Sequence, residues 1–206
     1  MQMNKTKLKV QLSKLKEFNQ PKLMLEQYPT PGDISAGILW NAFMLGDIED
    51  KIILDAGCGT GRFGIGSLIL VAKFVYFIDI DKDALKILKE NLKIFKFKNY
   101  KIINKDISKI KKSELKKIDT IIQNPPFGTK KEHADKLFLE KAFKLSDTIY
   151  SMHKIESKNF INALAKDSNF QVTHYWDYYF ELKQTQMFHK RKIYRIDVAC
   201  WRLKKR

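Results

Sequence analysis

The chain has 206 residues, 44% hydrophobic and 12% aromatic, a composition typical of one globular domain and not of a disordered chain. The formal net charge of +16 and the pI near 9.7 indicate a negatively charged partner. No run of about 18 apolar residues occurs, and no segment typical of a secretory signal opens the chain. Two distant cysteines, Cys58 and Cys200, match neither a disulfide framework nor a metal-binding spacing, so we expect a cytoplasmic protein without a metal site.

The basic charge is concentrated in the first 22 residues, in residues 82–117 and in the tail from Lys183 onward. A lysine-rich composition is also typical of thermophiles and AT-rich genomes, and it keeps a protein soluble. The tail is the more specific signal, because its nine lysines and arginines face one ionised acid, Asp197. A basic surface with interleaved aromatics predicts a nucleic-acid partner.

The first 48 residues predict a helical lid ahead of the main domain. Apolar residues at helical spacing predict a basic helix over 5–18. Three prolines then exclude a continuous helix over 21–31. Asp33 is the predicted N-terminal cap of a second helix, which ends near Leu45.

From residue 49 onward, apolar runs alternate with helical segments, which predicts an α/β fold: a doubly wound, mostly parallel sheet with helices on both faces. The last two runs, joined by a ten-residue loop, predict an antiparallel C-terminal strand pair at one edge. The predicted strands are 52–54, 74–79, 100–104, 118–123, 148–151, 172–182 and 193–203, and the predicted helices run to about 71 and over 81–95, 132–146 and 155–167.

The stretch 55–61, Asp-Ala-Gly-Cys-Gly-Thr-Gly, follows the first predicted strand and opens a helix, which is typical of a nucleoside-binding turn. Asp79 ends the second strand, where a carboxylate can accept hydrogen bonds from both ribose hydroxyls. Asp106 follows the third strand and suits an adenine amine. The spacing is not the dinucleotide form G-x-G-x-x-G, and no Gly-Lys-Ser/Thr occurs, so we expect no triphosphate. A glycine turn without a ligand is the alternative.

Residues 124–127, Asn-Pro-Pro-Phe, follow the fourth predicted strand. Prolines cannot donate to a sheet, so the strand must end there, and the residue before a proline is kept out of the helical region. Ligands of open parallel sheets bind beyond the carboxyl ends of the strands. We therefore expect an amide oxygen, a backbone carbonyl and an aromatic ring to converge on a point that suits a planar amine. The alternative is a rigid turn whose ring packs on the core.

Together, these motifs resemble a class I S-adenosylmethionine-dependent methyltransferase with a Rossmann-like fold, of the type that methylates amines. The resemblance narrows to the methyltransferase-like-five family of ribosomal RNA adenine-N6 methyltransferases and covers nearly the whole chain. It implies one domain over 1–206, with a helical lid over the cofactor (1–48) and a catalytic core (49–206). The specific segments are 21–30 (PKLMLEQYPT), 124–130 (NPPFGTK), 150–154 (YSMHK) and 188–192 (FHKRK).

The resemblance implies that S-adenosyl-L-methionine (SAM) is the cofactor. Gln27 and Thr30 would close over it from the N-terminal side. The family does not require an arginine at the position of Arg62. The implied cofactor-binding residues are Gln27, Tyr28, Thr30, Asp55, Gly57, Cys58, Gly59, Thr60, Arg62, Asp79, Ile80, Asp106, Ile107 and Asn124.

The implied reaction is methyl transfer to the N6 amine of an adenosine, in small-subunit ribosomal RNA. In our hypothesis the Asn124 side-chain oxygen and the Pro125 carbonyl accept the two N6 hydrogens, while Pro126 stiffens the turn and Phe127 stacks on the base. The base must be unpaired or flipped out of its stack. The residues predicted to grip flanking phosphates are Lys130, Lys131, His189, Lys190, Arg191 and Lys192.

The same residues fit three alternative functions. An Asn-Pro-Pro-aromatic turn also suits guanine-N2 or protein glutamine methylation, since each substrate presents a planar amine. A non-catalytic RNA-binding scaffold is a third interpretation, against which Asp79, Asp106 and Asn124 all argue. The basic surface favours nucleic acid over a protein glutamine.

The third predicted strand, 100–104, lies at a sheet edge in class I topology, and an exposed edge invites pairing with another chain. Eukaryotic members of the resembled family are stabilised by a small zinc-containing activator protein that adds a strand at this edge. The resemblance therefore implies the same kind of partner here, and the alternative is a chain that is stable alone.

Overall fold

The computed structural model describes residues 3–127, 134–183 and 193–206. Within these ranges, no helix is both long enough and apolar enough to cross a bilayer. The helices are α1 Lys5–Leu12, α2 Gly32–Met44, α3 Arg62–Ile69, α4 Lys82–Phe95, α5 Ala134–Leu145 and α6 Lys158–Asp167. The strands are β1 Ile52–Ala56, β2 Phe74–Asp79, β3 Tyr100–Asn104, β4 Thr120–Gln123, β5 Thr148–Lys154, β6 Phe170–Lys183 and β7 Ile193–Lys205.

The seven strands form one sheet in the order β3-β2-β1-β4-β5-β7-β6. The first five strands pair in parallel, and β7 pairs antiparallel with both β5 and β6. The strand order reverses between β1 and β4, the switch point at which open α/β sheets bind ligands. The predicted fold class and the antiparallel C-terminal pair are confirmed.

The sheet separates two hydrophobic cores, because side chains alternate between its faces. In β4, Ile122 belongs to the core that α1 to α4 cover, and Ile121 belongs to the core that α5 and α6 cover. The N-terminal residues Leu8 and Leu12 of α1 are fully buried in the first of these cores. The first two helices therefore pack on the same face as the core helices α3 and α4.

The N-terminal helix is shorter than predicted, since α1 ends at Leu12 and not near residue 18. The reason is tertiary. Lys16 N–H donates to the Asn91 side-chain oxygen at 2.8 Å, and the Asn91 amide donates back to the Lys16 carbonyl at 3.0 Å. These bonds to α4 replace the helical ones. The predicted cap of α2 was also wrong, because Pro31 occupies the N-cap and Asp33 lies in the first turn.

Helix α3 lies unusually close to its neighbours because it contains Gly64 and Gly66. A Cβ added at Gly64 would overlap the Phe77 ring, and one at Gly66 would overlap Leu39 Cδ1. Only glycine permits this approach. The close packing holds the first turn of α3 against the carboxyl end of the sheet.

Candidate active site

A cavity of about 270 Å³ lies at the carboxyl ends of β1, β2, β3 and β4. The glycine turn 57–61 and the proline turn 124–127 open onto this same cavity, as the sequence hypothesis required. The predicted site residues that line it are Gln27, Tyr28, Thr30, Gly57, Cys58, Gly59, Thr60, Arg62, Asp79, Ile80, Asp106, Ile107, Asn124, Pro125, Pro126 and Phe127.

The structure does not bring Asp55 to the cavity. Its side chain is 2% exposed, and its carboxylate accepts a hydrogen bond from Gly64 N–H at 2.7 Å. Burial raises the pKa of Asp55 to about 7, an effect that the Gly64 hydrogen bond opposes and the nearby charge of Asp79 reinforces. The geometry therefore gives this acid a supporting position beneath α3, in place of the predicted contact with a cofactor.

Asp79 is held by backbone donors on both of its oxygens. Gly59 N–H donates to Oδ2 at 2.7 Å and Asp81 N–H donates to Oδ1 at 2.8 Å. Gly59 has a left-handed φ of 51°. Each carboxylate oxygen keeps a lone pair for a further donor, and two adjacent hydroxyls are a matching pair of donors. Burial raises the pKa of Asp79, which these backbone hydrogen bonds partly offset.

Asp106 follows β3 and begins a short 3₁₀ turn, Ile107–Lys109. Its Oδ1 accepts hydrogen bonds from both the Ser108 backbone N–H and the Ser108 hydroxyl at 2.8 Å. These two contacts fix the carboxylate at the cavity wall. The buried side chain of Ile107 supplies an apolar surface beside it.

Arg62 is the first residue of α3 and is only 8% exposed. Its guanidinium donates to the Glu17 carboxylate at 2.9 Å, and burial lowers the pKa of the arginine. Because Arg62 also lines the cavity, it places a positive charge beside the glycine turn. That charge suits a carboxylate on a bound molecule.

The proline turn presents an unsatisfied acceptor. Asn124 is half-buried, and its Nδ2 donates to Thr30 Oγ1 at 3.0 Å. Its Oδ1 is shielded from solvent and has no hydrogen-bond partner in the part of the chain that the structure describes. An orphaned buried acceptor costs about 1–3 kcal/mol. Because Asn124 lines the cavity, rotation of its amide would present this oxygen to a ligand that supplies the donor.

Residues 22–30, here termed the strap, cross the cavity and are tied at both sides. On the β2 side, Lys22 and Gln27 bind the Asp81 carboxylate at 2.5 and 2.7 Å. On the β4 side, Glu26 accepts from Phe127 N–H at 2.8 Å, and Thr30 accepts from Asn124 as described above. The strap thus bridges the glycine turn side and the proline turn side.

The sequence hypothesis missed several wall residues. Phe18 comes within 2.8 Å, and Phe138 within 3.0 Å, of Cβ positions built on glycines of the turn. Both lie in segments whose periodicity indicated inward helical faces, so no local signal distinguished them from core residues. Glu26 lies inside a segment of the resemblance. The missed residues are Phe18, Met24, Leu25, Glu26, Pro29, Phe63, Ile78, Lys105, Ser108, Leu137 and Phe138.

The predicted phosphate contacts cannot be located in the same way. They lie outside the described residues, within the ranges 128–133 and 184–192. The residues concerned are Lys130, Lys131, His189, Lys190, Arg191 and Lys192.

The strand order and the cavity between a glycine turn and a proline turn define a class I methyltransferase. The methyltransferase domain family matches residues 48–203 of the chain. The solved structure of magnesium protoporphyrin IX methyltransferase from Synechocystis with bound SAM has a TM-score of 0.61 to this chain. The two share 16% identity, over 82% of this chain and 77% of that one, which is a likeness of fold alone.

Closer relatives identify the particular family. The zebrafish (Danio rerio) rRNA N(6)-adenosine-methyltransferase METTL5 is 36% identical over 91% of this chain and 92% of its own length. The crystal structure of an RNA methyltransferase candidate from Pyrococcus horikoshii is 41% identical, covers 98% of each chain and has a TM-score of 0.88. The chain belongs to the METTL5 family of methyltransferases.

Proposed function

We propose that the chain is a SAM-dependent methyltransferase that acts on the N6 amine of an adenosine in ribosomal RNA of the small subunit. Three observations support this: the charge of +16, the relatives' substrate and the geometry of residues 124–127. The observation that carries it is the orphaned Oδ1 of Asn124, a residue that lines the same cavity as Asp79.

The described residues fit SAM at three of its groups. Asp79 has lone pairs left for ribose hydroxyls, Asp106 and Ile107 form a wall that suits adenine, and Arg62 suits the carboxylate of the methionine part. Gln27 and Thr30 belong to the strap that closes this side. Bound SAM supplies an electrophilic methyl group.

The chain's own contribution to the reaction is alignment and preorganised polarity. We propose that Asn124 Oδ1 and the Pro125 carbonyl accept the two N6 hydrogens, which draws the nitrogen lone pair out of the ring. Rotation of the Asn124 amide away from Thr30 would uncover Oδ1 for the base. Phe127 then stacks on the base, an interaction worth about 1–3 kcal/mol.

The test is Asn124→Ala, assayed with labelled SAM and separate pools of total RNA, DNA and protein. We expect wild-type label in RNA, in N6-methyladenosine after nucleoside analysis, and none from the variant, with SAM binding retained. The matched control is Asn99→Ala, because Asn99 binds the Ala72 and Lys73 carbonyls away from the cavity. Label in guanosine or in a protein glutamine, or full activity of Asn124→Ala, would refute the assignment.

We further propose that the outer edge of β3 receives a strand from a small zinc-containing activator protein. In the described sheet β3 is the terminal strand and pairs with β2 alone. Lys101 and Asn104 are exposed along it, and an unpaired edge favours strand addition. Purification from the native host should recover a small partner with bound zinc, detected by native mass spectrometry. A zinc-free monomer that is stable and fully active would contradict this.

The domain arrangement and location are proposals of the same kind. We propose that residues 1–48 act as a lid over the cofactor, supported by the strap contacts to Asp81 and Phe127. We also propose a cytoplasmic location, which agrees with two buried cysteines that form no disulfide. Hydrogen exchange with and without SAM would test the lid, since added protection should concentrate in residues 22–30.

A further inference from the structure

Glu26 combines two features that are unfavourable by themselves. Its backbone has a left-handed φ of 48°, and its side chain is buried at 8% exposure on the cavity wall. The left-handed conformation costs a residue with a Cβ about 1 kcal/mol, and glycine would avoid that cost. Strained backbone at a cavity indicates that the side chain is needed there.

Glu26 accepts a hydrogen bond from Phe127 N–H, a donor that follows two prolines. Pro125 and Pro126 have no backbone N–H, so Phe127 carries the first backbone donor after Asn124. That N–H donates to Glu26 Oε2 at 2.8 Å. Residues 125 and 126 of the turn have no N–H group with which to form a backbone hydrogen bond. The Glu26 carboxylate therefore fixes the end of the turn through its bond to Phe127. Hydrogen bonds from a backbone N–H to a carboxylate are among the stronger ones.

The surroundings of the carboxylate agree with this position. Tyr28, two residues further along the strap, has a raised pKa, mainly because it is partly buried and also because the Glu26 charge lies nearby. Thr30 holds the other end of the same turn through Asn124. Two strap residues thus grip the turn at its first and fourth residues.

We infer that Glu26 is a positioning residue for the methyl acceptor: by binding Phe127 N–H, it sets where the Pro125 carbonyl and the Phe127 ring meet the target base. The inference rests on the proposed function. In this role Glu26 acts through the turn, by way of its hydrogen bond to Phe127 N–H. Loss of the contact should therefore misalign the base while leaving cofactor binding intact.

The experiment compares Glu26→Gly, Glu26→Ala and Glu26→Gln. Glycine removes the carboxylate and its hydrogen bond to Phe127 N–H, but it also relieves the left-handed strain. The two effects on stability oppose each other, so the variant should still be folded at the assay temperature. We expect its kcat on RNA to fall roughly 10- to 100-fold, because small misplacements at a reacting centre have effects of that size. The KM for RNA and the Kd for SAM should change less than about threefold. Alanine should behave like glycine, even if it is less stable.

Glu26→Gln is the informative rescue, because its Oε1 can accept from the same N–H without a charge. We expect it to keep kcat within about threefold of the wild type. Glu90→Ala is the matched control, since Glu90 is exposed and pairs with Lys16. It should leave every constant unchanged.

Three outcomes would overturn the inference: a glycine variant as fast as or faster than the wild type, a loss confined to SAM affinity, or a glutamine variant as slow as the glycine one. Failure of the proposed function looks different. In that case no label appears in N6-methyladenosine from the wild type, or Asn124→Ala remains active. If Glu26→Gly keeps the wild-type kcat while Asn124→Ala is inactive, the positioning role of Glu26 is rejected and the proposed function stands.

Discussion

Near the amino-terminal end of the sheet, Asp47 is the centre of a buried polar cluster. Its carboxylate accepts from Arg202 Nε at 2.7 Å and from the Tyr150 hydroxyl at 2.6 Å. The Thr120 hydroxyl donates to the Asp47 backbone carbonyl at 2.8 Å, and Arg202 also donates to Thr173 at 2.7 Å. The side chains of Arg202 and Asp47 are 10% and 9% exposed, so the ion pair is almost completely withdrawn from water.

At the carboxyl end, the buried polar groups are incompletely paired. Gln123 donates to the Ser151 hydroxyl at 2.9 Å, which contacts His153 Nε2 at 2.6 Å. Burial lowers the pKa of His153, so the imidazole is neutral at physiological pH. In the described part of the chain, the side-chain atoms left buried without a hydrogen-bond partner are Gln123 Oε1, Asn124 Oδ1, His153 Nδ1 and Trp201 Nε1. His153 Nδ1 does have the Asp135 carboxylate 3.8 Å away.

The polar groups at the amino-terminal end of the sheet therefore serve stability, and those at the carboxyl end serve function. Polar groups that are fully paired hold the fold together, and removing one partner is costly. Orphaned groups lower stability, so substituting one should cost little stability even where it abolishes activity. Four substitutions test this contrast, in order of their expected effect on the free energy of unfolding.

Arg202→Met should have the largest effect. It leaves the Asp47 carboxylate buried without its cation, a change that costs about 3–5 kcal/mol. Urea unfolding measures the loss, and Arg206→Met, at an exposed position, is the control. Methyl transfer at a temperature where the variant is folded should be unchanged. A loss below about 1 kcal/mol would mean that the cluster is not a structural centre.

Asp55→Asn should alter the pH dependence of stability. The carboxyl has a pKa of about 7 when folded against 3.8 unfolded, so the folded state binds the proton more tightly. The wild type should therefore lose stability as pH rises from about 4 to about 7, by at most about 4 kcal/mol. Asparagine keeps an acceptor for Gly64 and has no charge to bury. Between pH 5 and pH 8, the urea midpoint should fall less in the variant than in the wild type. An equal fall in both proteins would contradict the raised pKa of Asp55.

Tyr150→Phe should have a moderate effect. It removes the hydroxyl that donates to Asp47 while leaving the ring, which stacks on Trp176 with centroids 6.1 Å apart. We expect a loss of about 1–2 kcal/mol, because Arg202 still pairs with the carboxylate. Tyr179→Phe, at a position 77% exposed, is the control and should be neutral.

Asn124→Ala should have the smallest effect on stability. It removes the hydrogen bond to Thr30 together with the orphaned Oδ1, so the two changes oppose each other. The free energy of unfolding should change by less than about 1 kcal/mol. This variant is also the one expected to lose methyl transfer. A loss of several kcal/mol would place Asn124 among the structural groups.

Periodic, locally encoded features of the fold were predictable. The bounds of β2 and β3 agree with their apolar runs, and Asp81 caps α4 by accepting from Asp83 N–H, as predicted. The sequence could not show that residues 13–18 are irregular. The residue whose hydrogen bonds replace the helical ones there is Asn91, which is far away in sequence. Local periodicity contains no information about such a contact.

The site residues also fall into a locally encoded group, which was predictable, and a group that depends on distant contacts, which was not. Turns that are contiguous in sequence, such as 57–61 and 124–127, could be assigned from their residue pattern alone, and both reach the cavity. Asp55 could not be separated from Asp79 by sequence, because both are acids at strand ends and the difference is a hydrogen bond to Gly64. The role of Glu26 depends on a contact with Phe127, 101 positions away.

The strap is held by an ion pair on the β2 side and by a hydrogen bond to a backbone N–H on the β4 side. Salt should therefore weaken the two sides unequally. The Lys22–Asp81 pair is partly open to water, with 44% of the lysine side chain exposed, so dissolved ions screen it. The Glu26–Phe127 bond is part-buried, and Glu26 itself is only 8% exposed, so dissolved ions screen this bond less. Increasing ionic strength should therefore release the strap from the β2 side first, leaving it hinged on the proline turn.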